Sequence, residues 1–275
     1  MSSTSSPATI FDDPVFEEQG PRAYPSLKHF WLLFPAILVL FLILIISLGI
    51  YEGISRGAVD SANYLIGPLS IVVYVLITAY AYSQKKKREP AYVPSFRMPP
   101  ISVMLLLVAI IPALTVSFIC ISAWFHVDVW DTLMHSQNSY YPDNIFVTTI
   151  CVTLFTFLDH VLNRGILLDG LLKRYRPAVA IVNSVLFTSL LYMVPVAICF
   201  YLLFNLLYSW VYYYTRSLLP CLWASFVLII FSYLIDNHHW QKLLDAGDMI
   251  ATSIALVVLV MGVLLLQKIF NKTNK

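Results

Sequence analysis

The stretch "FLDHVLNRGILLDGLLKRYRP", residues 157–177, decides how the chain is read. Its apolar run is long enough to belong to a membrane span, yet Asp159, His160 and Arg164 lie inside it. Ionisable side chains are costly in hydrocarbon, so each needs a structural partner or a chemical task. The basic cluster Lys173-Arg174-Tyr175-Arg176 then ends the run at Pro177. Such a pattern marks a helix that carries a polar centre through the bilayer and stops at its surface.

Composition points the same way. Hydrophobic residues make up 59% of the 275 and charged residues 12%. That charged share is about half of the ~25% usual in soluble domains. The apolar residues come in long blocks, which excludes a soluble core and predicts an all-α, polytopic transmembrane bundle. Spans are expected at 30–51, 63–82, 101–125, 145–172, 178–194, 195–214, 217–235 and 249–270. Residues 1–29 read as a polar cytoplasmic tail, 30–270 as the transmembrane domain and 271–275 as a short C-terminal tail. Only Met193-Val194-Pro195 separates two of the spans, so that junction is either a tight hairpin or a kink.

Lysine and arginine distribution gives an independent test of this count. Fourteen of the 17 fall in the N-terminal tail, the 83–100 loop, the 173–177 turn, the 215–216 link and the C-terminus. Arg56 and Lys242 lie on the opposite side, and Arg164 is intramembrane. Positive-inside bias therefore predicts eight spans in the cell membrane with both termini cytoplasmic. The loop 126–144 has no Lys or Arg and is placed outside. The run KKKREP at 85–90 is read as a topology anchor, not a nucleic-acid site, with a lipid-headgroup role left open. Cys120, Cys151, Cys199 and Cys221 sit in apolar segments without paired spacing and read as small hydrophobes.

On a regular α-helix Asp159 and Arg164 stand about 140° apart, whereas His160 and Arg164 share a face. Asn163, Asn183 and Asn205, with the Ser and Thr residues of the spans, are expected to hydrogen-bond between helices or to line a cavity. Histidine is absent from every other span, since His29, His126, His135, His238 and His239 fall in tails or loops. A metal needs several imidazole, thiolate or carboxylate ligands converging. No cofactor and no metal are expected.

The segment DHVLNRGILL resembles the first motif of the CPBP (Abi) family of intramembrane proteases, which includes the type II CAAX prenyl endopeptidases. That motif reads Glu-Glu-x-x-x-Arg-Gly; this chain has Asp159-His160-x-x-x-Arg164-Gly165. The later run YSWVYYYTRSLLPCLWAS is similar to the family's Tyr-x-x-Thr-Gly-Ser-Leu-x-Pro, with Thr215, Ser217, Leu218 and Pro220 in register. The resemblance covers about 145–235 and implies a glutamate that activates water, assisted by two histidines and an asparagine.

By that resemblance Asp159, His160 and Arg164 are the site residues. The remaining positions depart from the pattern. Leu191 occupies one histidine position, Ser225 the other, and Ile229 the asparagine position. Leu191 and Ile229 can neither move protons nor hold a metal. The resemblance thus implies a degenerate member that binds a membrane partner, a prenylated peptide or protein being the family's association. Two alternatives stay open: an endopeptidase using Asp159 as base with His160 as helper, and a small transporter with a polar path through Asp159, Arg164 and Asn205. No duplicated halves support the last.

Overall fold

The structure is a computed structural model that describes residues 23–54, 59–127, 145–235 and 249–273. Most of the 126–144 loop, the His238-His239 pair, His135, Arg56 and Lys242 lie outside the described residues.

Long apolar runs without strand-length punctuation fold as helices, because a chain in hydrocarbon must satisfy its backbone within each segment. Eight helical elements follow among the described residues: α1 (Leu27–Ile54), α2 (Val59–Arg88), α3 (Ile101–Trp124), α4 (Ile145–Leu172), α5 (Pro177–Leu190), α6 (Pro195–Thr215), α7 (Leu219–Ile235) and α8 (Met249–Thr273). The expected all-α bundle is what forms. Five of them, α1, α3, α4, α6 and α8, are long and apolar enough to cross a membrane. The other two apolar helices are shorter, Pro177–Leu190 and Leu219–Leu234. At 14 residues, α5 extends only about 21 Å at the usual rise.

The expected span 178–194 therefore ends four residues early. Proline starts both helices of this region, Pro177 in α5 and Pro195 in α6, where its missing N–H costs nothing. Between them Met193 takes a left-handed φ of 57°. The junction is a hairpin: the Tyr192 and Tyr201 rings stack at 3.6 Å, and Asn205 bonds Ser189 at 3.1 Å. These nested pairs straddle Val194.

Helix α4 threads the bundle and is irregular. It is α-helical over Ile145–His160, π-helical over Val161–Leu168, and α-helical again over Asp169–Leu172. Leu162, Ile166, Leu167, Leu168, Leu171 and Leu172 are all buried against α2, α5 and α6. Outward faces are apolar instead, as at Leu42, Ile46, Val182, Phe226, Val257 and Leu264, which suits a lipid solvent. Helix α8 packs along α3, where Gly262 lies so close that an added Cβ would meet Ile110 Cγ1 at 2.6 Å.

Candidate functional site

The polar centre is built on the π-helical part of α4. A wide turn hydrogen-bonds i to i+5, so residues five apart come together. The regular-helix expectation that Asp159 and Arg164 do not stack is therefore corrected. Arg164 Nη1 donates to Asp159 Oδ2 at 2.7 Å. Asn163 Nδ2 donates to the other oxygen, Asp159 Oδ1, at 2.6 Å. The second guanidinium nitrogen of Arg164 donates to Asn205 Oδ1 on α6. Asn205 in turn donates through Nδ2 to Ser189 Oγ on α5. One polar chain thus joins three helices.

Arg164 is among the largest side chains fully buried in the protein, at 1% exposure. Removing a charge so completely from solvent is tolerated only with a counter-charge and further hydrogen bonds. Asp159 supplies the first and Asn205 the second, while the Tyr208 ring lies 5.4 Å from the guanidinium carbon.

His160 does not join that chain. Although it lies four residues before Arg164, its Nε2 sits 2.6 Å from Ser225 Oγ on α7. Its ring meets Tyr208 edge-on at 5.2 Å. The Nδ1 atom is buried and makes no hydrogen bond within the chain, as is also true of Arg164 Nε and Asn163 Oδ1. Tyr208 thus lies between the two halves of the site, touching both His160 and Arg164.

The two remaining motif positions, Leu191 and Ile229, are aliphatic. Leu191 follows the last turn of α5 and packs on the core. Ile229 lines an apolar groove of about 300 Å³ together with Thr153, Thr156, Phe157, Leu222 and Phe226. Among the described residues no group of three His, Cys, Asp or Glu is placed to hold a metal. His29 bonds Ser26 Oγ at 2.6 Å, and His126 is exposed at the end of α3.

The expected interhelical role of asparagine holds at two of three positions. Asn205 bridges α4 and α5, and Asn183 accepts from Trp31 Nε1 of α1 at 2.9 Å. Asn163 bonds within its own helix.

A second polar cluster lies one and a half turns further along α4, and Lys85 is its centre. The side chain is fully buried. Its Nζ donates to Gly165 O at 3.2 Å, Ile166 O at 3.0 Å and Asp169 Oδ2 at 2.7 Å. Tyr92 adds its hydroxyl to Gly165 O at 2.5 Å. Lys173 ties Asp169, at 2.9 Å, to Glu89, at 2.6 Å. Burial pushes the Lys85 ammonium down to about 8, with the Asp169 carboxylate opposing the shift. Partial burial acts downward on Lys173 too, but its bonds to Glu89 and Asp169 hold it above its ordinary range. Reading 85–90 as a topology anchor or a lipid-headgroup contact missed this role. The one legible signal is Asp169 four residues before Lys173, a helical ion-pair spacing.

An all-helical bundle with five apolar spans and a buried polar centre on a broken helix defines the class: a polytopic helical membrane protein. Residues 141–231 match the family described as type II CAAX prenyl endopeptidase Rce1-like, and over this third of the chain the CPBP/CAAX-protease-like assignment stands. No curated protein and no solved structure matches.

Proposed function

We propose that the chain is a catalytically degenerate member of this family that binds a membrane-anchored or lipidated peptide or protein, in an immunity or regulatory role. One observation carries the reading: both oxygens of Asp159 are engaged by Asn163 and Arg164 of the same helix. A general base must accept a proton from a bound water or substrate within hydrogen-bond reach. That carboxylate is already committed to an ion pair and an amide, which leaves only its remaining lone pairs to take a water. Leu191 and Ile229 add no proton-handling group nearby. The groove beside Ile229 is apolar and suits a hydrocarbon chain. Placement in the cell membrane, with both termini cytoplasmic, is supported by the basic residues that gather at one end of the bundle, where Lys173 meets Glu89 and Arg216 approaches Asp169.

The test uses the full chain in nanodiscs with fluorescent prenylated and unmodified peptides. Saturable binding without cleavage is expected, identical in the wild type and in Asp159→Ala as regards turnover. A second reading, a rearranged hydrolytic site, is favoured by the 2.6 Å contact of His160 with Ser225. Cleavage by the wild type that Asp159→Ala or His160→Ala abolishes would establish the second reading and end the first.

A further inference from the structure

The ion pair of the site depends on a backbone shape that a regular helix lacks. Asp159 and Arg164 meet because residues 161–168 take the wide turn. Such a turn is rarely stable by itself, since it exchanges well-aligned i to i+4 bonds for poorer ones. Inside a membrane, any carbonyl it leaves weakly bonded needs another donor. Lys85 and Tyr92 supply donors at that place: three hydrogen bonds from two side chains fall on the successive carbonyls of Gly165 and Ile166.

We propose that Lys85 and Tyr92 are positioning residues for the intramembrane pair, clamping the wide turn open so that Arg164 can reach Asp159. The clamp is built to act from outside α4. Lys85 lies near the end of α2, and Tyr92 on the segment that follows it. That segment is held against the bundle by Glu89 on Lys173, by Leu218 N on Ser95 O at 2.8 Å, and by Ser217 Oγ on Arg97 O at 2.5 Å. Gly165 makes the approach close. A Cβ there would stand 3.4 Å from the Tyr92 hydroxyl and 3.3 Å from Leu218 Cδ1. The surface segment 86–97 is thereby coupled through Lys85 and Tyr92 to the polar centre, and whatever shifts it shifts the Asp159–Arg164 contact. This inference stands whether the site binds or hydrolyses.

A mere buried partner of Asp169 would make a different prediction, and amide exchange of the full chain in nanodiscs separates the two. Lys85→Met, which removes both of its carbonyl contacts, is expected to speed exchange of amides 161–169 at least about tenfold, the size of a single charge-assisted hydrogen bond. Asp169→Asn, which leaves the carbonyl contacts in place, is expected to have little effect there, and Lys86→Met none. Tyr92→Phe removes one donor without changing shape, so it is expected to speed the same amides, leaving α8 unchanged. It decides the matter if Lys85→Met does not fold. A second readout is coupling: Asp159→Asn is expected to lower the unfolding temperature much less in the Tyr92→Phe background than in the wild type. Unchanged exchange at 161–169 in both clamp variants, or full additivity with Asp159→Asn, would overturn the proposal.

Discussion

At the residue scale, two charged side chains, Arg164 and Lys85, are among the largest fully buried ones of the described residues, and they solve the same problem differently. Arg164 meets a carboxylate and an amide. Lys85 meets a carboxylate and two carbonyls, yet burial still depresses its ammonium to about 8. The sign of the resulting pH dependence follows. Between about pH 8 and the ordinary lysine value of ~10.4, the unfolded chain holds a proton that the folded chain sheds. Lowering the pH through that window therefore costs the fold stability, and below pH 8 the cost is constant. Lys173 acts in the opposite sense but is common to both chains compared here. The wild type is thus expected to gain stability relative to Lys85→Met as pH rises from 8 to 10.5, measured by thermal unfolding in detergent. A gap that narrows over this interval would contradict the assignment. Arg164 was legible in the sequence because it interrupts an apolar run. Lys85 was not, since it stands in a row of four basic residues at a helix end, where side chains ordinarily reach for solvent.

At the element scale, hydropathy marked the helices because burial in lipid writes itself as length. It could not mark the π-helical turn at 161–168, which changes neither composition nor hydrophobicity. That single irregularity explains why the five-residue spacing of Asp159 and Arg164 misled a regular-helix reading. The short length of α5 was masked by Leu191–Val194, which continue the apolar run past the last helical turn. Glycines give a direct test of packing between elements. Gly170, just past the wide turn, faces the backbone of Tyr24, and an added Cβ would lie 1.8 Å from its carbonyl oxygen. Backbone cannot step aside as a side chain can, so Gly170→Ala is expected to destabilise by about 3 kcal/mol. Gly49 has nothing within 4 Å of an added Cβ. Gly49→Ala, in the interior of α1, is expected to stabilise by about 0.5–1 kcal/mol. Unfolding temperatures of the two variants check both signs at once.

At the scale of the whole molecule, the all-α bundle was legible in the order of its apolar helices, and the motif stretch located the polar centre. The partners of that centre were only half visible. Ser189, Asn205 and Ser225 come from three other helices, and their approach to α4 is a matter of tertiary packing. One structural feature bears on the surrounding lipid. The helices α5 and α7 are short, yet both turn apolar residues outward, among them Val179, Val182 and Leu186 on one and Phe226 and Ile230 on the other. A 14-residue helix falls about 9 Å short of a ~30 Å hydrocarbon core. Acyl chains bordering it must compress or tilt to cover its ends, a hydrophobic mismatch that thins the bilayer on one flank. The protein is accordingly expected to unfold at a higher temperature in vesicles of short-chain phosphatidylcholine than in long-chain ones. Where membranes of unequal thickness adjoin, it would partition into the thinner, carrying its polar centre to where the barrier for a charged or polar guest is lowest.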